Sequence, residues 1–215
     1  MGKGKRRFPG RGPARATTDG DPMAPYLADS DVVDWKHPAV AAQAKGLRAA
    51  DDEATARACF EWVRDTIKHS SDYRLNPVTC SASEVIAAGT GYCYAKAHLL
   101  TALLRANGLP AGLVYQRLSM GESGPPYCTH GLVAVHLPEH GWYRMDPRGN
   151  RENVDAQFTP PVERLAFAMK DSEEYLFPRI YAAPLPEIVK ALRRWETWDK
   201  LYIHLPDIPG RKGRS

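Results

Sequence analysis

The sequence predicts an α+β fold in which helices come first and an antiparallel sheet follows them. Between Pro38 and Lys68 the apolar residues recur at the spacing of helices. After Gly108 and Pro110 the pattern changes to strand-like segments rich in Val, Leu, Tyr and Trp. The chain of 215 residues, 43% of them hydrophobic, is long enough for one domain with its own core.

Both ends of the chain are basic, whereas the rest of it is mildly acidic. Nine of the 29 Lys and Arg residues lie in residues 1–15 and 211–214, which contain no Asp or Glu, so the remainder carries 20 basic against 25 acidic residues. Segments of Gly, Pro and Arg bury too little apolar surface to fold. We therefore expect a disordered basic tail over residues 1–25, a folded domain over 26–205 and a flexible basic tail over 206–215.

Basic tails can bind nucleic acid through phosphate contacts. In these tails, however, no aromatic residue alternates with the basic ones, as base stacking would require. The net negative charge of the body also argues against nucleic acid. We therefore expect solvated tails and no nucleic-acid partner.

The N-terminus and the cysteines bear on the location of the protein. No apolar segment follows the basic N-terminus, and no stretch approaches the length of a membrane span. The four cysteines, Cys59, Cys80, Cys93 and Cys128, form no close C-x-x-C pair. These features predict free thiols in a reducing cytoplasm and no membrane partner.

The first half of the chain predicts three helices. Two of them span Pro38–Ala50 and Asp52–Lys68, and Cys59 belongs to the apolar stripe of the second, so we assign it to the core. A third, short helix begins at Ser81, which has Glu84 at the spacing of a capping box, and ends at Gly89.

The second half predicts a long helix, a sheet and a final helix. The long helix runs from Cys93 to Asn107 and is closed by Gly108. A Gly- and Pro-rich loop over Met120–Cys128 separates the first two strands, and an irregular polar stretch follows the third. In order, the three strands and the final helix span Ala111–Ser119, Thr129–Leu137, Gly141–Asp146 and Leu185–Trp198.

Cys93 stands at the point where a glycine-containing loop becomes a helix. The unpaired N–H groups and positive dipole end of a first helical turn favour a thiolate. The same N–H groups can hydrogen-bond the oxyanion that forms when a thiolate attacks a carbonyl. Cys93 is therefore a candidate nucleophile, although a lone cysteine at a helix start is also compatible with simple packing.

A cysteine nucleophile needs a base and a group that orients the base. His98 points about 140° away from Cys93 around the helix axis, so it is a poor candidate. If the last two strands form a hairpin about Pro138, His130 and Asp146 face each other with Cβ atoms roughly 5 Å apart. This pairing needs a loop of odd length or a bulge, because a two-residue turn would put Asp146 on the wrong face.

The order Cys, His, Asp resembles that of the transglutaminase-like superfamily, whose members share a papain-like core of a Cys-bearing helix packed on an antiparallel sheet. The resemblance covers roughly residues 54–150 and includes the helix before the site, Cys59–Ile67. The matching site segments are Gly91-Tyr-Cys93-Tyr-Ala-Lys96, Thr129-His130 and Trp142-Tyr-Arg-Met-Asp146-Pro-Arg-Gly-Asn150.

The chain departs from the animal-type pattern in ways that indicate a compact bacterial-type member. Tyr94 stands where animal-type members usually have Trp, and Leu132 stands where many members have an aromatic residue. No acidic cluster suggests a calcium site.

The resemblance also implies a role for each site residue. Cys93 would be the nucleophile, His130 the base that later protonates the leaving amine, and Asp146 the group that holds the imidazole tautomer. The backbone N–H of Cys93 would form half of the oxyanion hole. The second donor is not identified, and Gln116 is only a weak candidate for it.

Other interpretations of the same residues stay open. Cys128 and His130 form a C-x-H pair that could bind zinc together with Cys93, but the second close pair of a zinc site is missing. Cys128 could form a disulfide with Cys93, or simply pack in its loop. The aromatic C-terminal end is either a partner surface or a helix packed on the core.

The sequence therefore predicts a papain-like cysteine enzyme without a cofactor. It would transfer or hydrolyse acyl groups at peptide or glutamine-type amides of a protein or peptide substrate, through a thioester on Cys93. The alternative is an inactive fold of the same kind that serves as a protein-binding module. The sequence fixes neither the acyl acceptor nor the oligomeric state.

Overall fold

The computed structural model of the protein describes residues 20–209, and the outer parts of both expected tails, 1–19 and 210–215, lie outside the described residues. Helices precede an antiparallel sheet, so the predicted α+β class is confirmed. The helices are a 3₁₀ turn at Ala24–Leu27, α1 (Pro38–Leu47), α2 (Asp52–Thr66), α3 (Ser70–Tyr73), α4 (Ala82–Ala88), α5 (Cys93–Ala106), α6 (Pro186–Arg194) and α7 (Trp198–Tyr202). The strands are β1 (Lys68–His69), β2 (Thr90–Gly91), β3 (Ala111–Ser119), β4 (Tyr127–Leu137), β5 (Gly141–Met145), β6 (Gln157–Thr159), β7 (Val162–Arg164) and β8 (Tyr175–Leu176).

The main sheet has four antiparallel strands in the order β5-β4-β3-β8. Its centre is the β3–β4 ladder, which runs from Ala111 opposite Val135 to Ser119 opposite Tyr127. β4 and β5 form a hairpin in which Leu137 pairs with Gly141, so the connecting loop has three residues. This is the odd loop length that the expected His130–Asp146 arrangement required.

The central element of the core is α5. All its residues from Cys93 to Arg105 are buried, because α5 contacts α1, α2, α4, β3 and β4. Its close approach to β4 depends on Gly131, where an added Cβ would lie 3.1 Å from Cδ1 and 3.2 Å from Cα of Tyr94. The helix that carries Cys93 therefore rests directly on the strand that carries His130.

Helix caps fix the course of the chain just before α5. The Ser81 hydroxyl accepts the Glu84 N–H at 3.3 Å, and the Glu84 carboxylate accepts the Ser81 N–H at 3.1 Å, so the predicted capping box is confirmed. α4 ends at Gly89, whose φ of +66° is the left-handed conformation that favours glycine. This turn leads the chain into β2 and then into Cys93.

The structure corrects the expected limits of the C-terminal part. The single helix expected over Leu185–Trp198 is two helices, because the chain leaves helical geometry at Trp195 and the Trp198 N–H donates to Asn76 Oδ1 at 2.8 Å. Trp195 and Trp198 are partly buried against the core, which supports the packing interpretation of these aromatics. The polar stretch after Asp146 also contains β6, β7 and β8, which are too short to leave a periodic pattern.

The expected tail boundaries also move. At the N-terminal end, the 3₁₀ turn already begins at Ala24, before the expected boundary at residue 26. At the C-terminal end, residues of the expected flexible tail are bonded to β4. The Thr129 N–H donates to the Pro206 carbonyl at 2.8 Å, and the Ile208 N–H donates to Thr129 Oγ1 at 3.0 Å. Over residues 20–209, no helix has the length and apolar character needed to cross a membrane.

Candidate active site

A short parallel pairing holds the segment that leads into Cys93. β1 and β2 pair with Lys68 opposite Thr90 and His69 opposite Gly91, two residues before the cysteine. Cys93 is the first residue of α5, and Tyr92, at the N-cap position, makes no side-chain cap. The Lys96 N–H is bonded to the Tyr92 carbonyl at 2.9 Å. The earlier N–H groups of the helix, including that of Cys93, therefore have no partner within it.

His130 and Asp146 form a buried hydrogen-bonded pair. His130 Nε2 lies 2.7 Å from Asp146 Oδ2, and both side chains are buried. The hairpin register places Leu132, not His130, opposite Asp146. His130 and Asp146 are therefore diagonal neighbours across the β4–β5 hairpin. The expectation that the two residues lie directly opposite each other is wrong, but their side chains share a face because two positions separate them along the strand.

Asp146 is held as an acceptor by several donors. Its Oδ1 accepts the Arg148 N–H at 3.1 Å, and its Oδ2 accepts the Ala166 N–H at 3.2 Å as well as the imidazole. These three contacts fix the position of the carboxylate in the buried site. It therefore orients the His130 ring with one nitrogen toward itself.

Cys93 and His130 line the same cavity, and the Cys93 side chain lies close enough to the imidazole to affect its pKa. Burial disfavours the imidazolium, but interactions with Asp146 first and then with Cys93 favour it more strongly, so the pKa of His130 is raised to about 10. Phe167 supports the ring edge-on, at 5.1 Å between ring centroids.

The three other cysteines are protonated at neutral pH. Burial raises the pKa of Cys59 to about 12, that of Cys80 to about 11 and that of Cys128 to about 12. Cys59 is fully buried in the core, as expected from its place in the apolar stripe. All four cysteines are free thiols.

A cavity of about 300 Å³ opens above Cys93, and we call it the Cys93 cleft. Cys93 and His130 line it on one side, and the C-terminal segment contributes Tyr202 and Leu205. Its charged lining is formed by Arg148, Arg151, Lys170 and Glu174. The cysteine is only 7% exposed, so a substrate reaches it through this cleft.

Asp72 and Arg148 are residues of the site that sequence reasoning missed. The Arg148 guanidinium makes a two-pronged ion pair with Asp72, at 2.7 and 2.8 Å, and lies over the ring of Phe167 at 5.4 Å. Arg148 lies two residues after Asp146 in the segment that resembles the family, and this position is the sequence feature that could have indicated its place near the site. Asp72 lies in α3, a helix of four residues that is too short to leave a periodic pattern.

Other candidates from the sequence lie apart from this arrangement. His98 is buried, with Nδ1 at 2.8 Å from the Cys80 carbonyl, which agrees with its exclusion as a base. Gln116 pairs with His130 across β3 and β4, but it is buried and does not line the cleft. Its Nε2 is 3.5 Å from the Phe167 carbonyl, so it is not supported as an oxyanion donor.

The zinc interpretation requires at least three ligands in one place. Within residues 20–209, no three His, Cys, Asp or Glu side chains converge in a geometry that could hold a metal ion. Cys128 does line the Cys93 cleft, with a side chain of intermediate exposure.

Residues 41–147 match the model of the transglutaminase-like superfamily. No curated protein sequence matches the chain.

Solved structures also resemble the chain. One is of a proposed cysteine protease from Cytophaga hutchinsonii, with a TM-score of 0.47 and 22% identity over 61% of this chain and 43% of that one. Two are of the periplasmic domain of TgpA from Pseudomonas aeruginosa, each 25% identical over 57% of this chain. The ethylmercury-bound structure has a TM-score of 0.43 and 46% of its chain covered, and the other has 0.44 and 45%. The chain spans less than half the length of each of these structures.

Proposed function

Residues 41–147 of this chain match the transglutaminase-like superfamily, and from that premise we propose that the chain is a cysteine enzyme that transfers or hydrolyses acyl groups at amide bonds. The observation that carries the proposal is the proximity of one imidazole to two partners. His130 is 2.7 Å from the Asp146 carboxylate, and it lines the same cleft as Cys93, whose side chain helps to raise the imidazole pKa. Cys93, His130 and Asp146 are the proposed nucleophile, acid–base and orienting group.

The first half of the reaction forms a thioester. The Cys93 thiolate attacks the carbonyl carbon of a peptide or glutamine-type amide, and the carbonyl electron pair moves onto oxygen. When the tetrahedral intermediate collapses, the C–N bond breaks and the amine leaves with the proton of the His130 imidazolium. The acyl group is then bonded to Cys93 Sγ, and His130 is neutral.

The second half returns the enzyme to its starting state. Water or a primary amine attacks the thioester while His130 accepts the proton of the nucleophile. Collapse breaks the C–S bond, releases an acid or a new amide, and regenerates the thiolate–imidazolium pair. Asp146 stabilises the imidazolium whenever it forms in either half of the reaction, and does not itself take the proton.

The backbone N–H of Cys93, at the start of α5, is one donor for the oxyanion. The Cys93 N–H has no partner within the helix, and it belongs to the residue whose sulfur attacks, so it lies next to the developing negative charge. The positive end of the α5 dipole acts in the same direction. This is the expected reason for a cysteine at this position.

The experiment that tests the proposal is acyl trapping by intact mass. Incubation with p-nitrophenyl acetate, and then with amide and glutamine-peptide libraries, should give an acyl adduct that peptide mapping assigns to Cys93. Cys93→Ala should abolish the adduct while the protein stays folded, and Cys80→Ala, beneath α4, should retain it. A folded wild-type protein that forms no adduct would favour the binding-module alternative.

A further inference from the structure

An oxyanion in a tetrahedral intermediate is normally held by two donors, and the site described so far supplies one of them. We propose that His69 is the second, donating from its Nε2–H to the oxyanion that forms on the substrate. This inference rests on the proposed acyl transfer at Cys93.

The backbone brings His69 to the correct side of the cysteine. His69 ends β1, and its register partner in β2 is Gly91, two residues before Cys93. It lines the Cys93 cleft together with Cys93 and His130. The parallel pairing therefore holds His69 near the start of α5, where the Cys93 N–H has no partner within the helix.

The hydrogen bonding of the ring leaves one nitrogen for the substrate. His69 Nδ1 is 3.1 Å from the Ser71 hydroxyl, and it is 3.8 Å from the Asp72 carboxylate, too far for a hydrogen bond. In this proposal the Ser71 hydroxyl is the donor to Nδ1, which places the proton of the neutral ring on Nε2. Tyr92 packs against the ring edge at 5.5 Å between centroids, which restricts its rotation.

The surroundings keep this imidazole neutral. Burial, first of all, and then the positive charges of Arg148, Lys96, His130 and Arg151 hold the pKa of His69 well below its usual value. His69 is therefore not a competing base or acid at neutral pH. A neutral N–H donor, oriented before the substrate arrives, is the kind of group that stabilises a developing oxyanion.

The test compares two reactions of Cys93 that differ in their need for an oxyanion hole. Acylation by p-nitrophenyl acetate passes through a tetrahedral oxyanion, whereas alkylation by iodoacetamide displaces iodide and forms none. We expect His69→Phe to slow acylation by roughly 10²- to 10³-fold and to leave alkylation of Cys93 within about threefold. His69→Gln, which retains an N–H donor, should recover part of the lost acylation rate.

The matched control is His140→Phe, at the β4–β5 loop, which should change neither rate. Equal loss of acylation and alkylation in His69→Phe would show a structural role, and no loss of acylation would show that His69 is not a donor; either result overturns the inference. A wild-type protein that is not acylated at all overturns the proposed function as well, so the two failures are distinguishable.

A measurement on the wild-type protein covers the case in which a His69 variant does not fold. A short peptide aldehyde should form a hemithioacetal on Cys93, and the Nε2 proton of His69 should then appear in the NMR spectrum as a protected, downfield-shifted signal. An Nε2 that carries no proton in this adduct would contradict the inference.

Discussion

At the scale of single residues, the charge of Asp146 determines the state of His130. Burial disfavours the imidazolium, and the nearby carboxylate is the largest opposing contribution to the His130 pKa of about 10. We expect Asp146→Asn to lower that pKa toward the ordinary value of about 6.5. The measurement is an NMR titration of the imidazole in the two proteins.

The same substitution should reduce acylation of Cys93 by roughly 10²- to 10⁴-fold at pH 7. The amide can still accept from the His130 ring, but it removes the charge that stabilises the imidazolium. Its NH₂ group would also meet the N–H of Arg148 or Ala166, which now donate to the carboxylate. A titration of His130 that stays near pH 10 in the variant would contradict this account.

The residues of the candidate site differ in how far the sequence could predict them. Cys93, His130 and Asp146 each stand at a recognisable boundary: a helix start, a strand start and a strand end before proline. His69 ends the two-residue strand β1, and Ser71 and Asp72 belong to the four-residue helix α3, elements whose conformation depends on contacts with distant residues. No local pattern marks such short elements, so their place beside the site is visible only in three dimensions.

At the scale of elements, the contact between α5 and β4 determines whether Cys93 and His130 meet. Gly131 lies next to His130, and a Cβ there would be 3.2 Å from the Cα of Tyr94, a backbone atom that cannot turn aside. We expect Gly131→Ala to push the start of α5 away from β4, to cost about 1–3 kcal/mol in the free energy of unfolding, and to reduce acylation of Cys93 more than tenfold.

The control for this change is a glycine with free space around it. Gly46 lies in α1, and an added Cβ would meet no atom within 4 Å. Gly46→Ala should stabilise the protein by about 0.5–1 kcal/mol, since alanine favours the helix, and leave acylation unchanged. Chemical denaturation and acylation rates of both variants check the pair. Unchanged acylation in Gly131→Ala would mean that this contact does not set the geometry of the site.

The end of α2 depends on a buried lysine of α5. Lys96 is fully buried, and its Nζ donates to the carbonyls of Arg64, at 3.3 Å, and of Ile67. Lys96→Met would leave two carbonyls at this helix end without a donor. We expect a loss of about 1–3 kcal/mol in the free energy of unfolding.

The pH dependence of that loss can be worked out from the lysine itself. Burial, with a further contribution from Arg148, lowers the pKa of Lys96 to about 7. Between about pH 7 and pH 10 this lysine is therefore protonated in the unfolded chain and largely neutral in the folded protein. Because the unfolded chain binds more protons in this range, the free energy of unfolding of the wild type increases as the pH rises. Lys96→Met lacks this gain, so its deficit relative to the wild type should grow from pH 7 to pH 10. Urea denaturation at several pH values measures it, and a constant deficit would contradict the lowered pKa.

The elements themselves were predicted well where their pattern was long. The start of α1 and α2, the capping box of α4, the length of α5 and the limits of β3 all follow from local sequence. Local sequence does not predict the two- and three-residue strands or the division between α6 and α7. Their hydrogen bonds join residues far apart in sequence, such as Trp198 to Asn76, and single-sequence periodicity carries no information about such pairs.

At the scale of the whole molecule, the account depends on three distant segments that meet in one place. The start of α5, the start of β4 and the end of β5 bring Cys93, His130 and Asp146 together, and β1 adds His69 through its pairing with β2. The C-terminal segment closes one side of the cleft through its bonds to Thr129. The fold thus accounts for the site by topology rather than by any one motif.

The most direct measurement of the central claim is the rate of iodoacetamide labelling of each cysteine in the native protein at pH 7, resolved by peptide mapping. If Cys93 is a thiolate paired with His130, it should react at least about tenfold faster than Cys128, which lines the same cleft but has a pKa raised to about 12 by burial. His130→Ala should remove most of that preference. Equal rates for Cys93 and Cys128 in the folded wild-type protein would contradict the claim that this site activates its cysteine.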